Sequence, residues 1–189
     1  VATRIDQRGA RADGDIVAGD KIVNHNYPAT NRAPGIVEQL LEKLQLEISK
    51  NAEVRHTVES LKYFYEHREA PDGIVGLESK LEAGGRTSEL YVAYAKKEQF
   101  AKLLETWSLY ASAQEIFAYL LAGAEHHFTM HVYPKLGELD QVQVNQLIDN
   151  LIVTPTIVEC GTTVFTLNHG IVMGMIYWLA EQCFVRWHT

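Results

Sequence analysis

Cysteine is nearly absent from this 189-residue chain: Cys160 and Cys183 are the only two, and they do not form a C-x-x-C pair. Two thiols cannot build a disulfide scaffold, so a reducing compartment is the simpler setting. Long apolar runs are missing as well. The longest, Ile171 to Ala180, is about half of the ~20 residues that a bilayer crossing needs. The N-terminus has no signal-like apolar segment. A cytoplasmic protein with no membrane contact is expected. Basic charge is scarce in one half: residues 107–189 hold 7 acidic groups and only Lys135 and Arg186 as bases, against 17 acidic and 15 basic groups in residues 1–106. The net charge of -7 argues against non-specific binding to nucleic acid or anionic lipid. Neither a glycine fingerprint for dinucleotides nor a G-x-x-x-x-G-K-[ST] phosphate loop nor an H-E-x-x-H zinc pattern occurs. No cofactor is expected.

What is present is helical periodicity. After Thr30, Asn31 and Pro34, which offer capping and first-turn chemistry, Ile36, Leu40, Leu41, Leu44 and Ile48 recur at three- and four-residue steps. The pattern drifts on through Val54, Val58, Leu61, Phe64 and Tyr65, as one long helix or two broken near residues 50–52. Pro71, Asp72 and Gly73 stop it. A short helix over 74–81, long helices over 87–108 and 111–130, another over 142–152 closed by Pro155, and a last one over 168–182 capped by Asn168 complete the series. Residues 156–167, with β-branched side chains and Gly161, suit a small hairpin or an irregular loop as well as a helix. The tail CFVRWHT either adds a short strand or packs on the core. The fold class is all-α, a multi-helix bundle over residues 33–189 with one core.

Residues 1–32 differ in kind. They are rich in glycine, aspartate, arginine and asparagine and contain GDIVAGDKIV, in which two Gly-Asp dipeptides alternate with β-branched pairs. A lone two-stranded unit is marginal in water, so this β-prone leader is flexible or ordered by assembly. Ile16, Val17, Asp20, Lys21 and Ile22 are its candidate self-association residues, and a homo-oligomer is expected.

Three groups of side chains could carry chemistry. His127 and His131, in EHHFTMH, are four apart and share a helix face, the spacing of two metal ligands. A full site would have to recruit His169, Cys160 or Glu159, and local hydrogen bonding in a core or interface is the simpler role. Cys160 with His169 suggests a nucleophile pair without an orienting third group. Lys96, Lys97, Lys102 and the arginines of the first half alternate with acids and form no stripe for nucleic acid. A metal-dependent effector enzyme or toxin using His127 and His131, and a nucleic-acid-binding module, are the alternatives to a binding protein.

Two stretches carry a resemblance. LIDNLIVTPTI followed by LNHGIVMGMIYWLAEQCFVRW, with Ile152, Pro155, Gly174, Met175, Tyr177, Leu179, Cys183, Arg186 and Trp187, resembles the C-terminal domain of bacterial ABC-three-component conflict systems, over about residues 138–189. GDIVAGDK resembles a leader recurrent among prokaryotic defence proteins. The resemblance implies a non-catalytic adaptor or sensor subunit of an antiphage defence complex, coupling an effector to a middle component and an ABC-type ATPase through protein–protein contact. Arg186 and Trp187 are then candidate partner-binding residues. Three arrangements stay open: a stand-alone adaptor, an effector on another polypeptide, or a compact helical effector within residues 33–133.

Overall fold

The computed structural model describes residues 34–66, 68–161 and 163–189. The leader, with Ile16, Val17, Asp20, Lys21 and Ile22, lies outside the described residues. Among those described, every regular element is helical: α1 (Ile36–Ser49), α2 (Glu59–Tyr65), α3 (Gly76–Ala83), α4 (Leu90–Trp107), α5 (Ala111–His127), α6 (Gln141–Ile148), α7 (Thr154–Cys160) and α8 (His169–Glu181). The molecule is an all-α bundle. No helix among the described residues is long and apolar enough to cross a membrane.

The start of α1 falls at Gly35, whose N–H donates to the Glu38 carboxylate at 2.7 Å, so the cap comes from a side chain reaching back from the first turn. The α1 stripe is rotated slightly from the one expected: Val37 and Leu44 are buried, Leu40, Leu41 and Ile48 half-buried, and Ile36 exposed. The pattern through Tyr65 is two helices, α1 and α2, and not one long helix. Buried Gln114 explains the break, because its side chain accepts from Val58 N–H at 2.6 Å and donates to the carbonyls of His56 and Ser108. The 56–58 segment is thereby held in an extended path beside the α4–α5 turn.

The main framework is the antiparallel pair α4 and α8, the most extensive helix contact in the bundle. Its closeness rests on Gly174: a Cβ there would lie 2.1 Å from the Lys96 carbonyl oxygen and 3.2 Å from Phe100 Cβ. Residues 174–180 of α8 are all buried, and α5 buries Ile116, Phe117, Leu120, Leu121 and Ala124 beside them. These two helices come from the half of the sequence that is poor in charge.

Helices α3 and α8 cap each other. Glu181, the last residue of α8, accepts from Leu77 N–H at 2.8 Å in the first turn of α3. In return the fully buried Lys80 of α3 donates its ammonium to the Ala180 carbonyl at 2.5 Å. Each charge meets the helix end whose dipole favours it. Burial holds the Lys80 pKa below its ordinary value.

Pro155 does not close a helix. Helix α6, begun by a reciprocal Asp140–Gln143 capping box, runs through a wide π-turn over Asp149–Val153 directly into α7. Pro155 sits in the first turn of α7, where a missing N–H is tolerated. The stretch 156–167 consequently begins as helix as far as Cys160, and Gly161 ends it at φ +57°. No hairpin follows. Residues 163–167 form a turn whose Phe165 is buried against Trp107 and Phe117. The tail adds no strand, and Phe184, Val185 and Trp187 pack on the core.

Candidate functional site

A groove of about 550 Å³ opens between the α4–α8 pair and α6 with its following π-turn. Glu89, Val92 and Lys96 face it from the start of α4, and His169, Met173 and Tyr177 from successive turns of α8. The opposite wall is Asn145, Ile148, Asp149, Asn150 and Val153. The helical spacing is the cause: residues 92 and 96, and 169, 173 and 177, are steps of four and line one face of each helix.

Beneath one end lies a buried polar network. Arg86, 2% exposed, pairs with Glu89 at 3.1 Å, donates to the Asn145 side-chain oxygen, and stacks its guanidinium over the Trp187 ring at 4.8 Å. Glu89 also accepts from the Tyr177 hydroxyl at 3.4 Å. Burial, with the Glu89 charge adding to it, raises the Tyr177 pKa, so the phenol stays protonated. The 3₁₀ turn before α4, helix α6, helix α8 and the tail are thus fastened at one point, and Asn145 and Tyr177 are presented to the groove with fixed partners.

Trp187 is 1% exposed, stacked on Tyr177 at 5.6 Å and edge-on to Phe128 at 5.0 Å. Gly84 makes room for it: a Cβ at residue 84 would lie 2.2 Å from the Trp187 carbonyl oxygen. In the described fold Trp187 is therefore a core anchor, and Arg186 beside it is the one that reaches the surface. Arg186 donates to Asp72 at 3.2 Å and lies over the Tyr133 ring at 5.0 Å. His188 bonds the same carboxylate oxygen at 2.9 Å. The His188 contact, the Ile74 N–H and Arg186 hold the Asp72 carboxyl well below the usual carboxylate range.

His127 ends α5 and His131 lies on the π-turn that continues it, with their rings stacked 5.8 Å apart and His126 edge-on to His127 at 5.5 Å. The structure brings these histidines together. Among the described residues, however, no group of three His, Cys, Asp or Glu side chains is arranged to hold a metal ion. Cys160 is buried, and its thiol is pushed up to about 11 by that burial and by Glu159, the reverse of what a nucleophile needs. His169 faces the groove instead.

The groove residues Glu89, Asn145 and Asn150, and Arg86 beneath them, are not among the residues that the sequence singles out. The Arg-x-x-Glu step at 86–89 is the same one found in solvated surface pairs. The signal that it differs is Gly84 just before it, where the absent Cβ lets the Trp187 backbone approach.

No curated protein and no solved structure was found to match this chain. Residues 76–187, more than half of its length, match the family described as C-terminal domain 9 of the ABC-three component (ABC-3C) systems. The matched span takes in α3 to α8, the groove, the network around Arg86 and Glu89, and Trp187, and by that extent the chain belongs to this family of ABC-three component system domains.

Proposed function

We propose that the chain is a non-catalytic adaptor or sensor subunit of a prokaryotic antiphage system, acting in the cytoplasm through protein–protein contact and self-assembly. The observation that carries this reading is the family match over residues 76–187. In such a multi-component system a domain without its own reactive centre contributes by binding. Physical support comes from where the polar groups go: Arg86, Glu89, Lys80 and Asp72 hold helices and tail together. Tyr91, 86% exposed, and Val142 and Val158 leave apolar surface on the matched elements. Arg186 and the surface around it are the proposed partner contact, with Trp187 as the buried anchor that fixes its position. The GDIVAGDK leader, through Ile16, Val17, Asp20, Lys21 and Ile22, is the proposed self-association element.

The test is a phage challenge of cells carrying the complete gene set of the system. Protection is expected to fall to the level of cells lacking the system when this chain is deleted, and to fall likewise with Arg186→Gln. Undiminished protection without the chain overturns the reading.

A further inference from the structure

The groove is lined by three kinds of side chain: cationic or hydrogen-bond-donating, apolar, and carboxamide or carboxylate. At about 550 Å³ it falls within the range of small-molecule sites, about 300–1,000 Å³. Lys96 and His169 supply hydrogen-bond donors, and the Lys96 ammonium, from α4, has no ion pair or hydrogen bond among the described residues. Val92 and Met173, on the same wall, supply apolar contact. Across from them, α6 and its π-turn line the groove with three carboxamides, Asn145, Gln146 and Asn150, and one carboxylate, Asp149.

The charges are distributed rather than cancelled. Glu89 is neutralised by Arg86. Asp149 makes no salt bridge among the described residues and belongs to the carboxamide wall. The positive group therefore comes from the α4–α8 side and the negative group from the α6 side. Asn145 has its side-chain oxygen engaged by Arg86, so what it offers the groove is its NH₂ as donor. Carboxamides match the adjacent donors and acceptors on a base edge, and a carboxylate accepts from an exocyclic amino group. A lysine ammonium suits a phosphate.

We propose that this groove binds a free nucleoside monophosphate with an amino-bearing base, its phosphate at Lys96 and His169 and its base between Met173 and the Asn145–Asn150 wall. The proposal goes beyond the adaptor reading and does not depend on it, because the ligand is read from the groove and not from the family.

The experiment is calorimetric titration of the full chain with AMP, with UMP, inorganic phosphate and a short adenine oligonucleotide as separate arms. AMP is expected to bind, and UMP and phosphate to bind about tenfold more weakly or not at all. Lys96→Met and Asp149→Asn are each expected to weaken AMP by about tenfold, the scale of one charge-assisted hydrogen bond, with melting temperatures unchanged. Absence of AMP binding at millimolar concentration overturns the proposal. So does AMP binding that ignores Lys96→Met, phosphate binding equal to that of AMP, or an oligonucleotide that outcompetes AMP.

Discussion

Asp72 ties the loop between α2 and α3 to the end of the chain through Arg186 and His188. Its carboxyl is held below the ~3.9 of a free aspartate, so the folded state binds its proton more weakly than the unfolded state does. The resulting stabilisation is fully present above about pH 4 and is lost as the pH falls toward the folded value. Asp72→Asn is expected to lower the melting temperature at neutral pH, and the gap to the unsubstituted protein is expected to narrow steadily below about pH 4. Thermal melts across that range check this. A gap that stays constant from neutral to acid pH contradicts the assigned role.

At the scale of elements, two glycines set how closely the parts approach. Gly174 lets α8 lie against the Lys96 carbonyl, and Gly84 lets the tail lie against the end of α3. Gly174→Ala puts a Cβ into backbone that cannot rotate away, so α4 and α8 must separate. A loss of about 1–3 kcal/mol or more is expected, read as a fall in melting temperature of roughly 2–4 °C for each kcal/mol. An unchanged melt shows that the pair is looser than described. The helices themselves were legible, because apolar residues recurring every three to four positions leave little choice of element, as along α4 and α5. The π-turn before α7 was not. Pro155 looks like a terminator in any sequence, and only the wide turn ahead of it makes it a helix start. Nor were Lys80 and Arg86 readable as interior groups. Each lies among other charges in the sequence, and each is buried by elements about 60 to 100 residues away. The groove was hidden for the same reason: its walls come from α4, α6 and α8, elements far apart in the sequence, and the α4 and α6 residues look like an ordinary solvated helix face.

For the whole molecule, the uneven charge acquires a structural meaning. The half with only Lys135 and Arg186 as bases builds α5 and α8, the two most deeply buried helices, while the charged half supplies α1 to α4 around them. Of the two bases, Arg186 is placed at the surface next to the buried Trp187, inside the span that matches the ABC-three component family. The central claim is that the chain works by binding other chains. Light scattering on material purified through this chain after co-expression with the other products of its system tests it directly. The predicted result is one species that contains a partner component and more than one copy of the 21.3 kDa chain, with the copy number falling when residues 1–32 are removed. A 21.3 kDa monomer eluting alone, with and without those residues, would contradict it.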